Sequence, residues 1–411
     1  MRRSTGKEVC PLMAKRDNIA ELLGGLLDEA HFAVAEHMPS IVAKVASRAG
    51  WEISIYVVDF DQHVLRALSG PPHVRQEHSV EGTLAGRCFR QSEPVAVGRG
   101  AHEAWIPLID GVERLGVLHV RLPSGDDITD PDTAREVRWV AYLIGHLIAS
   151  KAAYADYLHR ARMSHPRSVP SELVWSLLPP LTVACYGLAI AGGLEPSHSL
   201  AGDIFDYAID SDVAHIAIAD ATGHDLDAAV IGALLLATYR ATRKHGKDLR
   251  AAASEIDEVL TGYRDDTYAT GVLGELDLGA GTFSYINAGH PAPLLLRGGK
   301  IVKSLDAGRR VLFGLPARTV SLGVEQLEAG DWLVFYTDGV VEARDGARQF
   351  FGLERLIDVV ERCAADQQNA SETLRRITHA VLRHQHHVLQ DDASVVILQW
   401  NTTLEQELTA T

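Results

Sequence analysis

Hydrophobic positions along this chain change period several times, and each change marks an element. Between Ile19 and Arg48 they recur at helical spacing (Leu22, Leu26, Ala30, Ala33, Val42, Val45), with Gly24, Gly25 and Pro39 as interruptions, which predicts two helices. From Trp51 the period drops to two. Ile53, Ile55 and Val57 alternate, Asp59 to Gln62 supplies a turn, and the apolar pattern returns over 64–68 as the second arm of a β-hairpin. Further strands are predicted over 94–97, 104–108 and 115–121, with Asp110-Gly111 turning between the last two and a short helix over 83–90. A helix follows from Ala134 to about Arg162. Counting in sevens places Val137, Ile144, Lys151 and Leu158 in one row and Val140, Leu147, Tyr154 and Ala161 in the other. That pattern fits a coiled-coil seam in a parallel homodimer, or an amphipathic helix packed on its own domain.

The prolines and small polar residues of 164–170 mark a boundary. Beyond it, strands are predicted over 183–191, 204–209 and 213–219, then helices over 226–244 and 249–263. A second strand group follows over 268–276, 282–287, 293–296, 319–322 and 332–336, then helices over 353–363 and 371–383 and a last strand over 393–400. Antiparallel-type strands around paired helices predict an α+β fold with two sheets. The expected organisation is a tail over 1–18, a first domain over 19–150 with a connector helix over about 134–165, a second domain over 170–401, and a tail over 402–411.

A length of 411 residues agrees with two cores, and 46% hydrophobic with 23% charged residues is the composition of a folded chain. The formal charge of −15 offers no basic footprint, so nucleic acid and anionic membrane surfaces are not expected partners. Cys10, Cys88, Cys185 and Cys363 form no CxxC pair, no stretch reaches the roughly 20 apolar residues of a membrane span, and the start lacks a signal-peptide core. A cytoplasmic protein is expected.

Candidate chemistry lies in aspartates at strand ends. The run 215–219 leads into Asp220-Ala221-Thr222-Gly223-His224, and 332–336 leads into Thr337-Asp338-Gly339. Each aspartate alone also reads as a turn residue or helix cap. Carboxylates gathered at one rim of a sandwich would repel one another unless cations neutralised them, and hard divalent cations take such oxygen ligands.

From about Ser171 to Trp400 the chain resembles the bacterial PPM-type serine/threonine phosphatases of the SpoIIE kind, related to protein phosphatase 2C. The resemblance rests on Glu172-Leu173 with Ser176 to Pro179, Ala201-Gly202-Asp203-Ile204-Phe205-Asp206, Asp220 to His224 with Ala228-Ala229, Asn287 to Pro291, Phe335 to Ala343, and Gln390 to Ser394. It implies an αββα sandwich holding two divalent cations, Mn2+ or Mg2+. Asp220 would bridge them, the backbone carbonyl of Ala221 would complete one site, and Asp338 and Asp391 would hold the second. Asp203 would act mostly through a metal-bound water. Such a pair acidifies the water that attacks phosphate. His224 reads either as the group that protonates the leaving serine oxygen or as a helix cap. Asp206, Asp392, Asn287 and His290 read either as site residues or as local structure. Ala201 and Asp225 depart from the family's glycines, and Asp225 and Asp227 add negative charge nearby.

Residues 22–150 resemble a GAF sensor domain, on Glu81 to Gly86, Glu93-Pro94-Val95, Trp105 to Leu108 and Leu115 to Leu118. Members of that family bind cyclic nucleotides, chromophores, haem or nothing identifiable, so the resemblance leaves an unknown small-molecule ligand open, with regulation expected through the connector. The implied substrate is a phosphorylated regulatory protein such as a STAS-type anti-sigma factor antagonist. Two other readings stay open: a catalytically weak phosphatase-fold binding module, and a ligand-sensing dimerisation protein. Cys88, Trp51 and Trp105 are expected in the core, and His379, His384, His386 and His387 as a solvated cluster rather than a zinc site.

Overall fold

The computed structural model describes residues 11–400 apart from 69–75, 99–101, 186, 196–201, 224, 316, 318 and 387–390, with side chains from residue 18 onward. Its internal contacts divide the chain into two compact units after Ser164. No helix among the described residues is long and apolar enough to cross a membrane.

The first unit contains α1 (Pro11–Ala30), α2 (Met38–Arg48), β1 (Glu52–Val58), β2 (Val64–Ala67), β3 (Glu77–Ser79), α3 (Leu84–Gln91), β4 (Val95–Ala96), β5 (Glu103–Asp110), β6 (Glu113–Arg121), α4 (Pro131–Ala152) and α5 (Asp156–Arg162). Its strands form one antiparallel sheet in the order β3-β2-β1-β6-β5-β4. Side chains alternate across it. Ile53, Ile55 and Val57 join the core beneath α1, α2 and α4, while Tyr56 and Val58 join Cys88, Phe89 and Trp105 on the side of α3. Trp51, Cys88 and Trp105 are therefore core residues, as expected.

Two expectations for this unit are corrected. α1 runs through Gly24 and Gly25 without interruption. A side-chain carbon at Gly25 would stand 3.0 Å from Val45 Cγ1, so this glycine brings α1 close to α2 instead of ending the helix. The connector is not one helix over 134–165, because α4 stops at Ala152 and α5 restarts at Asp156. Nor is its apolar row a free dimer seam. Val137, Val140, Ile144, Lys151 and Leu158 are buried in the unit's own core. The Lys151 ammonium donates to the carbonyls of Ala30 at 2.8 Å and Ala33 at 2.7 Å, which satisfies a cation inside an apolar row. The second row is less covered, with Leu147 and Ala161 half-buried and Tyr154 exposed.

The second unit begins with α6 (Val169–Leu177), β7 (Thr182–Cys185), β8 (Leu188–Glu195), β9 (Asp203–Ile209) and β10 (Val213–Ala221). The helices α7 (Asp225–Lys244) and α8 (Leu249–Tyr263) follow, then β11 (Ala269–Asp277), β12 (Thr282–Ala288), β13 (Leu294–Arg297), β14 (Lys300–Ser304), β15 (Arg309–Arg310), β16 (Gly323–Gln326) and β17 (Trp332–Tyr336). The short α9 (Asp338–Val341), α10 (Leu353–Ala365), α11 (Ala370–His384) and β18 (Ala393–Trp400) complete it. One sheet has the order β15-β12-β11-β10-β9 with β16 beside β12, and the other the order β14-β13-β17-β18-β8-β7.

Strand alternation builds the layers. Ile216, Ile218, Phe205, Leu333, Phe335, Val396 and Leu398 meet in the core between the sheets. Their neighbours Ala217 and Ala219 face outward into the apolar sides of α7 and α8, at Leu235, Tyr239 and Ile256. On the opposite flank Val334, Tyr336, Val395 and Ile397 pack against Leu356, Val360, Leu374 and Ile377 of α10 and α11. The result is an α+β sandwich of two sheets between two helix pairs, the architecture the pattern predicts.

Candidate active site

Four strand ends open onto one rim of this sandwich. β9 and β10 are antiparallel, and their register sets Asp203, the first residue of one, opposite Asp220, near the end of the other. In the second sheet Tyr336 of β17 pairs with Val395 of β18, so Thr337 and Asp338 leave the sheet beside the incoming Asp391 and Asp392. Gly339 makes that approach possible. A side-chain carbon there would lie 1.8 Å from the Asp392 carbonyl oxygen, a separation only glycine permits.

Gly202 opens the other side. Its N–H donates to Asp392 Oδ2 at 2.8 Å, tying the two sheets together at the rim. A side-chain carbon at this position would stand 3.0 Å from the Ala221 carbonyl oxygen, 3.1 Å from Asp220 Oδ1 and 3.8 Å from Asp392 Oδ2. Three oxygen donors thus border the space that the missing side chain leaves.

The electrostatics follow from crowding in a partly dry cleft. Burial lifts Asp220 to about 7, helped by the negative charges of Asp338, Asp391 and Asp392. Asp203 is almost fully buried and held far above the usual carboxylate range, first by burial and then by Asp220 and Asp392, with a hydrogen bond from Thr337 acting in the opposite sense. Burial also raises Asp391, against the hydrogen bond it accepts from the Asp392 N–H at 3.0 Å, and Asp338 raises it further. Every resolved shift in the group marks a carboxylate whose ionised form the fold alone does not stabilise.

Asp203, Asp220, Asp338 and Asp391 therefore share one rim, with the Ala221 carbonyl among them, and Asp392 joins them. Asp206 does not. Its carboxylate is buried and paired with Arg240 at 2.7 Å and Arg243 at 3.0 Å, a structural ion pair that joins β9 to α7. Asn287 Oδ1 accepts the His290 N–H at 2.9 Å, and His290 Nδ1 meets Thr270 Oγ1 at 2.8 Å, so this pair fixes a turn. Burial lowers His290 to about 3, which keeps the ring neutral. Asp227 is exposed and pairs with Arg264 at 3.0 Å. His224 and Ala201 lie outside the described residues. In the late histidine group, His379 is buried beside Arg375 and His384 contacts the Gln349 carbonyl, while His387 is also outside the described residues.

Thr337 was not singled out from the sequence. Its hydroxyl donates to Asp203 Oδ2 at 2.6 Å, and the signal was a hydroxyl residue directly before Asp338 at a strand end. Among the described residues, the group whose candidate ligand atoms all lie within 4.8 Å of one another is Asp59, Asp61 and His63, in the first unit. There Asp59 accepts the N–H groups of His63 and Val64 and the Ser164 hydroxyl, the bonding of a hairpin-turn aspartate. No three of the rim carboxylates bring their ligand atoms within 4.8 Å of one another.

A rim of oxygen donors on a two-sheet sandwich defines a candidate centre for hard cations, and residues 210–401 match the family model described as Stage II sporulation protein E (SpoIIE). Over 237 residues the chain is 26% identical to Protein IcfG of Synechocystis sp., covering 50% of this chain and 37% of that protein. Over 217 residues it is 24% identical to Phosphoserine phosphatase RsbU of Bacillus subtilis, covering 50% of this chain and 61% of that protein. Both alignments leave a large part of the relative's own length unmatched. Among solved structures, the RsbU and RsbW domains of Rv1364c from Mycobacterium tuberculosis align at 25% identity and a TM-score of 0.45, covering 54% of this chain and 62% of that one.

Proposed function

We propose that the second unit is a metal-dependent phosphatase that removes phosphate from a serine or threonine of a partner protein. The observation that carries this reading is the meeting of Asp203, Asp220, Asp338 and Asp391 at one rim, where the ionised forms of Asp203, Asp220 and Asp391 lack compensation. The residues fit a pair of divalent cations, Mn2+ or Mg2+: the donors are all oxygens, and the space at Gly202 is bordered by Asp220 Oδ1 and the Ala221 carbonyl. Such cations supply an acidified water and neutralise phosphate oxygens. Asp220, set against Asp338, Asp391 and Asp392 of the other sheet, would bridge the cations, with Asp338 and Asp391 holding one of them and the Ala221 carbonyl completing the other site. Asp203, held by Thr337, would act mostly through a metal-bound water.

The name of the Bacillus relative supports phosphoserine as the substrate group. A phosphorylated regulatory protein, such as a STAS-type anti-sigma factor antagonist, is the proposed partner, in the cytoplasm. The first unit is proposed as a GAF-like sensor whose small-molecule ligand regulates the second. The test is hydrolysis of an aryl phosphate and of a phosphoserine peptide with Mn2+, Mg2+ or chelator, beside Asp220→Asn. Turnover that needs the cation and disappears in the variant supports the reading. Equal turnover in chelator, or a fully active variant, contradicts it.

A further inference from the structure

Thr337 sits at the junction of the two sheets, completely buried between the end of β17 and the start of α9. It is clasped to Ser394 of β18 in both directions. Its N–H donates to the Ser394 carbonyl at 3.0 Å, and its Oγ1 accepts the Ser394 N–H at 2.9 Å. A hydroxyl has one proton to give, and here it points to Asp203 Oδ2 at 2.6 Å, the short contact of an O–H with a carboxylate. Asp203 belongs to β9 in the other sheet. One hydroxyl therefore ties the first rim aspartate to the residue directly before Asp338.

We infer that Thr337 is a positioning residue of the proposed cation centre, fixing the Asp203 carboxylate relative to Asp338 and thereby setting cation affinity. The inference rests on the metal reading above. With Oδ2 accepting the Thr337 hydroxyl, and that hydroxyl in turn held by Ser394, the orientation of the Asp203 carboxylate is set. Serine could make the same two hydrogen bonds. Valine has nearly the same shape and can make neither.

The test is Mn2+ binding to the full chain, followed by the loss of the free-ion electron paramagnetic resonance signal, for wild type, Thr337→Val and Thr337→Ser. Removing a group that orients a ligand weakens metal affinity roughly 10- to 100-fold, the fall expected for valine, with serine restoring wild-type binding. A hydroxyl with only a packing role would lower the melting temperature in chelator and leave the affinity of the folded protein unchanged. Equal Mn2+ affinity in wild type and Thr337→Val overturns the inference, as does a serine variant weakened as much as valine. If the valine variant lacks a cooperative melt in chelator, Thr337→Ala, which creates no steric conflict, takes its place with the same expected weakening. Wild type that takes up no Mn2+ overturns the metal reading itself, an outcome separate from the comparison between variants.

Discussion

Asp220→Asn should abolish activity and, without cations, make the second unit more stable. The carboxylate is lifted from its ordinary 3.8 to about 7 by burial and by Asp338, Asp391 and Asp392, so its ionised form costs about 4 kcal/mol relative to the unfolded chain. The direction in pH follows from linkage. Below about pH 4 the group is protonated folded or unfolded and contributes nothing. Between about 4 and 7 the unfolded chain gives up the proton while the folded one keeps it, so cation-free stability falls as pH rises. Above about 7 the whole cost is present. Asparagine has no such charge, and its removal also relieves Asp203, whose raised value owes part of its lift to Asp220. At 2–4 °C per kcal/mol for a unit of this size, the variant should melt roughly 10 °C above wild type at pH 8 in chelator, the difference closing near pH 4. Differential scanning calorimetry with and without Mn2+ measures this, and the cation should raise the wild-type melting temperature much more than the variant's. Identical melting temperatures at pH 8 in chelator, or a variant less stable than wild type, would refute the idea that these carboxylates burden one another.

Three further substitutions test the assignments around the rim and the first unit. Arg240→Met leaves the buried Asp206 with only Arg243 and should cost about 3–5 kcal/mol in thermal unfolding, while Asp206→Asn should leave Mn2+ affinity unchanged; a large loss of cation binding in Asp206→Asn would return Asp206 to the centre. Lys151→Met keeps the aliphatic stem but leaves the Ala33 carbonyl without the ammonium and the Ala30 carbonyl with only the Ala33 N–H, which should cost about 1–3 kcal/mol in the first unit with no change in sedimentation; dissociation of a dimer on this substitution would restore the connector as an interface.

Much of the second unit was readable because its strands alternate cleanly between two different apolar surroundings. Ile216 and Ile218 face one core and Ala217 and Ala219 another, so 213–219 reads as a strand buried on both faces, and a polar Asp220 at its end has nowhere to go but the rim. The strand 332–336 and the helix 249–263 match their expected bounds for the same reason. What was not readable depends on tertiary contact. The apolar run 183–191 reads as one strand, yet it is a hairpin of β7 and β8 turned at Gly187, whose φ of 78° suits a turn. The expected strand 319–322 is displaced to β16, where Gly323 lies against the ring of Tyr285. β3 has the sequence Glu-His-Ser and carries no apolar period at all. The break between α4 and α5 follows from packing that a heptad count cannot see.

The site was legible as a set of aspartates but not as an arrangement. Motif spacing grouped Asp203, Asp220, Asp338 and Asp391, and each lies at or within two residues of a strand end at the same edge. It could not separate Asp206 from Asp392. That depends on Arg240 and Arg243 lying one helix away from β9, and on Gly202 reaching the Asp392 carboxylate. Thr337 escaped notice because its role needs two strands from different sheets to meet at its hydroxyl.

Crystals grown with Mn2+ and measured for anomalous scattering would locate the cations without reference to any activity. Two peaks at the rim, with Asp220 in contact with both and Asp338 and Asp391 at one of them, are the predicted result. Anomalous density confined to Asp59, Asp61 and His63, or absent from the rim at saturating Mn2+, would contradict a centre built from these carboxylates.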